Sequence, residues 1–292
     1  MTLKNTIFAL TLIVGLTLLG SIDIPVFDRE GHEIKLPVNS TGNSAIGKNA
    51  TGEAISMQTF RVDNFNVQRG KGEDGVRDLT RAEGLMQGTD IAGVQEVSGT
   101  LFYGWRSQAR QLAEALQTGY LFGPTTWRWF QPYVGSALLT KFPVQAWTIE
   151  GLPARDDIDS AHRNLITALL EIDGRPVVVM VTHLDRRESN AMQLDYVLEK
   201  FLASKHPTIL LADLNTDLAN EALQALIARP AVEDAILEAI GPFWRLDWII
   251  TKGFDVAEGG HAPRGISDHA HYWVDLTFSD SNSVTEVRHD AD

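Results

Sequence analysis

The sequence contains no cysteine among its 292 residues. Disulfide bonds, thiolate nucleophiles and cysteine-based zinc sites are therefore excluded. Basic residues are also scarce, because 25 lysines and arginines stand against 38 aspartates and glutamates and leave a formal net charge of -13. This balance disfavours a broad basic surface that would wrap nucleic acid by counterion release, although a local basic rim around an acidic metal site is compatible with it.

Long hydrophobic runs are also scarce, and the clearest one lies at the N-terminus, where residues 6–20 read TIFALTLIVGLTLLG behind Lys4. This run suits the apolar region of a secretory signal and is shorter than the ~20 residues of a membrane span. No Ala-x-Ala cleavage site follows it, so residues 1–22 are predicted to be a signal peptide or an uncleaved membrane anchor. We therefore predict export, to the periplasm, to the medium or to the membrane surface, with this segment contacting the membrane or the secretion machinery.

The rest of the chain divides into a linker, one domain and a tail. Residues 23–57 are rich in Asn, Ser, Gly and Pro and lack apolar periodicity, which predicts a flexible linker. Residues 58–279 are predicted to form the folded domain, and residues 280–292 a polar C-terminal tail. Within the domain the pattern predicts strands over 59–67, 91–95, 136–140, 165–172, 177–183, 208–212, 246–251 and 272–278, and helices over 75–86, 108–117, 190–204 and 220–227. This alternation indicates an α/β fold.

Polar side chains stand at the ends of several predicted strands. The apolar run 209–212 is followed by Asp213 and Asn215, which strand alternation places on one side where the chain leaves the sheet. A single residue of this kind more often begins a turn than takes part in catalysis. Asn66, Glu96, His183 and the Ser-Asp-His triplet at 267–269 stand in similar positions, however, so the set as a whole indicates an active site.

Taken in order, these segments resemble the endonuclease/exonuclease/phosphatase superfamily, the group that includes DNase I. The matching segments are FNVQ (65–68), GVQEV (93–97), GSALLTKFPV (135–144), RNLITALLEI (163–172), VTHLD (181–185), LLADLN (210–215), LDWII (246–250) and GISDHA (265–270). The resemblance implies a four-layer α/β sandwich, in which two mixed β-sheets pack face to face with helices outside. It also implies a site in a cleft at one edge of the sandwich.

The resemblance assigns a metal site to Glu96, Asn66 and Asp268. A hard divalent cation held by carboxylates neutralises phosphoryl oxygens and assists the leaving oxygen, which is what the hydrolysis of a phosphate ester requires. The implied cofactor is Mg²⁺ or Mn²⁺. An exposed Glu at the start of a loop is the alternative interpretation of Glu96, and the companion segments favour the metal ligand.

The resemblance also assigns catalytic roles to five side chains. Asp213 orients and deprotonates the attacking water, and Asn215 donates to a non-bridging oxygen without repelling the anion. His269 stabilises the charged phosphoryl group and Asp247 orients His269, while His183 is a second histidine that faces the phosphate.

Two further residues are candidates for binding the phosphate together with Asn66 and Asn215. Arg163 precedes a predicted strand, where it could form a bidentate contact with the phosphate or simply lie on the surface. Tyr133 stands near the position at which some repair nucleases of this family carry an active-site tyrosine, but it could equally pack against Trp127 and Trp129. The nearby cluster WRWF (127–130) could stack on bases or sugars or enter a lipid interface, and buried packing is its commonest fate.

The sequence thus predicts a divalent-metal-dependent phosphodiesterase, with an exported nuclease as the leading interpretation. The motif residues contact only the phosphate, so a sphingomyelinase or phospholipase C-like enzyme and an inositol-phosphate phosphatase remain alternatives. A noncatalytic binding domain is an alternative of another class. The predicted partner is a phosphodiester substrate, either nucleic acid or a phospholipid head group, and the sequence identifies no protein partner.

Overall fold

The computed structural model describes residues 24–25, 29–32, 59–99, 107–127, 133–155 and 162–279. The predicted leader, most of the predicted linker, residues 128–132 and the predicted tail lie outside these residues. Among the described residues, no helix is both long and apolar enough to cross a lipid bilayer.

The strands and helices are as follows. The strands are β1 Ile24–Pro25, β2 Arg29–His32, β3 Phe60–Asn66, β4 Ile91–Gly99, β5 Gly119–Pro124, β6 Thr126–Trp127, β7 Tyr133–Thr140, β8 Val144–Gly151, β9 Asn164–Ile172, β10 Arg175–His183, β11 Thr208–Asp213, β12 Val232–Asp234, β13 Asp247–Lys252, β14 Phe254–Ala262 and β15 His271–Phe278. The helices are α1 Thr80–Leu85, α2 Gln108–Leu116, α3 Asn190–Ala203, α4 Glu221–Ile227 and α5 Ala235–Ile240.

Each predicted strand and helix has a counterpart, and the main correction concerns α1. The sequence predicts that this helix begins at residue 75, but Gly75 has φ of +79° and the chain forms a turn closed by a bridge between Lys71 and Arg77. The structure also contains elements that the prediction lacked, including β5, β8, β14 and α5. The partly exposed, glycine-containing β14 lacks the apolar periodicity that identifies a strand in a sequence.

Two mixed sheets form the centre of the domain. The strand order is β12-β13-β11-β10-β9-β8-β2 in the seven-stranded sheet and β14-β15-β3-β4-β7-β5 in the six-stranded sheet. The pairs β10–β11 and β3–β4 are parallel, and the other pairs in these sheets are antiparallel. The predicted pair of mixed sheets is therefore confirmed.

Apolar side chains fill three layers of the domain. The central layer lies between the sheets, where residues such as Val62 and Leu138 of one sheet meet Val179 and Leu211 of the other. Helices α3 and α4 cover the outer face of the seven-stranded sheet, and α1 and α2 cover that of the six-stranded sheet. Strands such as β11 are buried on both faces, which explains their continuous apolar sequence. The predicted four-layer sandwich is confirmed.

Strand register brings three polar residues to one level at the edge of the seven-stranded sheet. His183 at the end of β10 stands opposite Asp213 at the end of β11 in the parallel pair. Asp213 stands opposite Asp247 at the start of β13 in the antiparallel pair. The fold therefore brings together residues that are far apart in the sequence.

The two sheets approach closely beside this edge. Asn64 Nδ2 of β3 donates a hydrogen bond of 3.1 Å to the carbonyl oxygen of Ala212, and Gln95 Nε2 donates one of 2.8 Å to Asn64 Oδ1. A Cβ atom added at Gly93 would lie 2.5 Å from Leu211 Cβ. The absence of a side chain at position 93 therefore permits the sheet spacing that the site requires.

Replacing Gly93 by alanine is expected to lower the free energy of unfolding by about 1–3 kcal/mol, because the new methyl group overpacks the space between the sheets. Urea denaturation measures the effect. Gly84→Ala is the matched control, since a Cβ at helical Gly84 meets nothing within 4 Å. The free energy of unfolding of this control is expected to rise by roughly 0.5–1 kcal/mol. Equal stability of Gly93→Ala and the wild type would contradict close packing at this point.

Two short strands lie within the segment predicted as a linker. Strand β2 pairs with β8 at the edge of the seven-stranded sheet, and β1 pairs with β6. Parts of residues 23–57 therefore take part in β-pairing, which the lack of apolar periodicity in this segment does not indicate. The boundaries predicted for leader, linker, domain and tail remain predictions.

Candidate active site

Asp213 stands at the centre of the candidate site, at the buried end of β11. Its side chain is only 1% exposed. Asn66 Nδ2 of the opposite sheet donates a hydrogen bond of 3.0 Å to Asp213 Oδ2, and the backbone N–H of Asn215 donates one of 3.0 Å to Oδ1. Burial, reinforced by the negative charge of Asp247, raises the pKa of Asp213 to about 6. A carboxylate in this setting is held firmly and is ready to accept a proton.

His269 lies beside Asp213 and forms a pair with Asp247. His269 Nδ1 and Asp247 Oδ2 are 2.8 Å apart, and His269 Nε2 lies 3.7 Å from Asp213 Oδ2. Burial lowers the pKa of His269, but its hydrogen bond with Asp247 and the surrounding carboxylates outweigh burial and raise the pKa to about 9. His269 therefore carries a positive charge at neutral pH.

His183 approaches Asp213 from the neighbouring strand. Its Nε2 atom lies 3.2 Å from Asp213 Oδ2, and the imidazole is almost fully buried. Burial, together with the nearby cations Arg163, His269 and Arg186, lowers the pKa of His183 well below its usual value. His183 is therefore neutral, and its contact with Asp213 is that of a neutral imidazole with a carboxylate.

Asn215 follows Asp213 in a left-handed backbone conformation, with φ of +49°. Asparagine tolerates this conformation better than most residues. Its Nδ2 atom donates a hydrogen bond of 2.9 Å to the carbonyl oxygen of Leu184, which uses one of the two amide hydrogens. The turn fixes the Asn215 side chain at the site.

Glu96 enters the site from β4 through a β-bulge. The register of β4 against β7 shifts between Val94 and Val97, and Glu96 has φ of +55°. A bulge redirects a side chain, and here it brings Glu96 Oε1 to 3.5 Å from Asn66 Nδ2. Arg69 Nε lies 4.0 Å from the other carboxylate oxygen.

Asp268 belongs to a loop that is attached to the end of β3. The hydroxyl of Ser267 donates a hydrogen bond of 2.7 Å to the carbonyl oxygen of Asn66. Gln68 Nε2 donates one of 2.8 Å to Asp268 Oδ2. These contacts hold Asp268 near Asn66, as the sequence predicts for a shared site.

Arg163 lies just before β9 and is largely buried. Its Nε atom has no hydrogen-bond partner among the described residues. Burial lowers the pKa of Arg163, and the negative charges of Asp213, Asp185 and Glu96 partly offset this decrease. An arginine held near carboxylates without direct partners can accept an anionic ligand.

Tyr133 stands at the start of β7, where its ring stacks on Phe122 at a centroid distance of 5.8 Å. The sequence does not single out Phe122, and the side chains of Trp127 and Trp129, against which it allows Tyr133 to pack, lie outside the described ones. Tyr133, Asn66 and Arg163 are not among the described residues that line the cleft.

The site opens into a cleft of about 340 Å³. Among the described residues the cleft is lined by Glu96, His183, Arg186, Asp213, Asn215, Trp244, Arg245, Leu246, Asp247, Arg264, Asp268, His269, Ala270 and Tyr272. Seven of the predicted site residues therefore line one cleft. Asn66 does not line it, but donates a hydrogen bond to Asp213, which does.

Several residues of the site were not predicted from the sequence. Gln68 and Ser267 stand inside the matching segments FNVQ and GISDHA, so their positions could have indicated a supporting role. Arg186, Arg264 and Trp244 line the cleft from loops that adjoin the matching segments. Only the folded structure identifies these three residues as parts of the site.

The donor set fits a hard divalent cation. Glu96 and Asp268 line the same cleft and supply carboxylate oxygens, which Mg²⁺ and Mn²⁺ prefer. A second group, Asp213, Asp247 and His269, has ligand atoms within 4.8 Å of one another. The raised pKa of His269 opposes metal binding by that histidine, because a protonated imidazole offers no lone pair. The charges therefore favour the Glu96 side of the cleft for a metal.

The sequence model of the Endonuclease/Exonuclease/phosphatase family matches residues 64–269, which is well over half of the chain. The chain belongs to this family. Members of the Endonuclease/Exonuclease/phosphatase family are hydrolases that act on phosphate esters and generally depend on divalent metals, so this protein is a hydrolase of phosphate ester bonds. No curated protein matches the chain in sequence.

Solved structures share the fold at low sequence identity. An endonuclease/exonuclease/phosphatase from Beutenbergia cavernae DSM 12333 has a TM-score of 0.64 and 22% identity, over 76% of this chain and 72% of that chain. The human Nocturnin catalytic domain with bound sulfate has a TM-score of 0.59 and 20% identity, over 76% and 94%. The mannosyl-6-phosphatase of Bacteroides thetaiotaomicron VPI-5482 has a TM-score of 0.57 and 18% identity, over 75% and 100%. These similarities establish the fold that the Endonuclease/Exonuclease/phosphatase family shares.

Proposed function

We propose that this protein is a phosphodiesterase that uses Mg²⁺ or Mn²⁺, and that its substrate is nucleic acid. The observation that carries the proposal is the arrangement around Asp213. A buried carboxylate with a raised pKa lies between the Asn66 amide and two histidines, and the carboxylates of Glu96 and Asp268 lie beside it in one cleft.

Asp213 and the residues around it each have a separate role in the proposed hydrolysis. Asp213 accepts a proton from the attacking water, for which a raised pKa and fixed hydrogen bonds are suited. The remaining amide hydrogen of Asn215 binds a phosphoryl oxygen. The guanidinium of Arg163 does not line the cleft, but it lies close enough to Asp213 and Glu96 for its charge to attract the phosphate. The charged His269 stabilises negative charge that develops on the phosphoryl group, and Asp247 keeps His269 protonated and oriented.

Glu96 and Asp268 are the proposed metal ligands, with Asn66 as a third. Asn66 Oδ1 already accepts a hydrogen bond of 3.1 Å from the backbone N–H of Gln68, so only its second lone pair is free for a metal. Held by these residues, Mg²⁺ or Mn²⁺ would supply the positive charge that hydrolysis of a phosphate ester requires.

The charges at the cleft favour a nucleic acid substrate. Although the whole chain is acidic, Arg186 and Arg264 line the cleft and Arg163 lies beside it. This is the local basic rim that a polyanion requires next to an acidic metal site. Among the described residues, the aliphatic side chains that line the cleft are Leu246 and Ala270. These two side chains offer little apolar surface to an acyl chain.

Export of the protein remains part of the proposal, and it rests on the hydrophobic residues 6–20 behind Lys4. Mass spectrometry of protein from the native host is expected to find either a shortened chain or an intact Met1 in the membrane fraction. Intact protein in the cytoplasm would contradict export.

A substrate panel tests the proposal. The full-length protein is incubated with Mg²⁺ or Mn²⁺ and single-stranded DNA, RNA, sphingomyelin vesicles, an inositol polyphosphate or mannose 6-phosphate. We expect cleavage of DNA or RNA, with rates on the other substrates at least tenfold lower. Preferential hydrolysis of sphingomyelin or of a phosphomonoester would assign a different substrate class. A folded protein that cleaves none of these substrates would favour a noncatalytic binding domain.

Replacing Glu96 by glutamine is expected to raise the Mg²⁺ concentration for half-maximal activity by about 10–100-fold, because the variant loses a charged ligand. The maximal rate at saturating Mg²⁺ is expected to fall much less. The measurement is an Mg²⁺ titration of the initial rate. Glu114→Gln is the matched control, since Glu114 lies on α2 in an exposed ion pair with Arg110. An unchanged titration for Glu96→Gln would remove Glu96 from the ligand set.

A further inference from the structure

Trp244 is exposed at the cleft in a way that packing does not explain. Its side chain is 61% exposed, and it lines the cleft three residues before Asp247. The other large hydrophobic side chains that are exposed among the described residues, Val76, Tyr120 and Met192, do not line the cleft. Burial of an aromatic ring is favourable, so a tryptophan left exposed at a cleft points to contact with a ligand.

Trp244 is held in place by its neighbours. Its indole Nε1 donates a hydrogen bond of 3.3 Å to Asp217 Oδ2. The next residue, Arg245, is buried in an ion pair with Asp234, and its guanidinium lies 4.6 Å from the centroid of the Trp248 ring. The ring is therefore anchored before any ligand arrives, which reduces the entropy lost on binding.

The positively charged side chain of Arg264 lies near the exposed ring of Trp244. The guanidinium carbon of Arg264 lies 5.8 Å from the centroid of the Trp244 ring, and both side chains line the cleft with the phosphate-cleaving residues. A flat aromatic surface next to an arginine fits a planar base attached to a phosphate.

We propose that Trp244 and Arg264 form a subsite that stacks one nucleobase of the substrate beside the scissile phosphate. This inference rests on the proposed function and specifies how a nucleotide is recognised. The cleft volume of about 340 Å³ is at the lower end of ligand pockets, which span about 300–1,000 Å³. It suits a single nucleotide unit better than a longer stretch of polymer.

Ligand binding tests the subsite without requiring turnover. Calorimetry with Mg²⁺ measures the Kd of the full-length protein for adenosine 5′-monophosphate and for inorganic phosphate. Trp244→Ala is expected to weaken nucleotide binding by about 10-fold or more, since base stacking is lost. Phosphate binding is expected to change less than twofold. Trp244→Phe should retain most of the nucleotide affinity. Tyr120→Ala, which removes an exposed aromatic ring outside the cleft, should leave both affinities unchanged.

Three results would overturn the subsite. The first is a wild-type protein that binds the nucleotide no better than phosphate. The second is a Trp244→Ala variant with unchanged nucleotide affinity, and the third is a Trp244→Ala variant that loses affinity equally for both ligands.

Hydrolysis assays separate this inference from the proposed function. Nucleotide binding that depends on Trp244, without cleavage of any phosphodiester, would overturn the proposed function alone. Oligonucleotide cleavage that Trp244→Ala leaves unchanged would overturn the subsite alone, and selective loss of sphingomyelin cleavage would replace the base by a lipid head group.

Discussion

Replacing Asp213 by asparagine is expected to lower kcat by about 10²–10⁴-fold, the usual contribution of general base catalysis. The amide has nearly the same shape as the carboxylate but cannot accept a proton from water. The KM is expected to change little, because Asp213 is proposed to act on water rather than on the substrate. The measurement is the initial rate of oligonucleotide hydrolysis at saturating Mg²⁺.

The stability of this variant separates a catalytic loss from a folding loss. Burial raises the pKa of Asp213 to about 6, so its charged form opposes folding at neutral pH. The uncharged amide removes this penalty, but its NH2 group faces a donor where a carboxylate oxygen accepted a hydrogen bond, so the melting temperature is expected to stay close to that of the wild type. Asp90→Asn is the control, because Asp90 is a half-buried carboxylate that pairs with Lys141 just before β4. Activity of Asp213→Asn within tenfold of the wild type would remove Asp213 as the base.

Replacing Asp247 by asparagine is expected to lower kcat by about 10²–10⁴-fold, because His269 then loses the carboxylate that keeps it charged and oriented. The observation behind this expectation is the 2.8 Å contact between Asp247 Oδ2 and His269 Nδ1. The measurement is the kcat of the variant for an oligonucleotide, alone and in a His269→Ala background.

The double variant separates a positioning role from a merely structural one. If Asp247 acts through His269, adding Asp247→Asn to His269→Ala should lower kcat by less than about threefold, since the effects of residues that act as a unit are strongly non-additive. Additive losses in the double variant would contradict the proposed pairing and would indicate that Asp247 supports the fold independently.

The sequence predicts the fold to the extent that burial leaves a pattern in it. The apolar run before Asp213 predicts a buried strand, and β11 is buried along its whole length. Strands such as β14, whose residues are nearly all exposed or only partly buried, carry no such pattern, and the sequence does not predict them. The pairing of β10, β11 and β13, which brings His183 and Asp247 beside Asp213, depends on long-range register that local periodicity does not encode.

The candidate site is predictable in its composition but not in its geometry. The sequence indicates Glu96 as a ligand, whereas its bulge and left-handed backbone appear only in the structure. Trp244 was missed for a similar reason, because exposure of one aromatic residue depends on the packing around it. The sequence instead indicates the aromatic cluster at 127–130, and residues 128–132 lie outside the described part of the chain.

The central claim is that the cleft around Asp213 hydrolyses phosphodiesters with the help of a divalent metal. The most direct test is the rate of oligonucleotide cleavage by the full-length protein with Mg²⁺, after addition of EDTA, and after excess Mg²⁺ is restored, with Asp213→Asn in parallel. The account predicts cleavage that EDTA abolishes and Mg²⁺ restores, and that is lost in Asp213→Asn throughout. Cleavage that persists in EDTA, or that survives in Asp213→Asn, would contradict it.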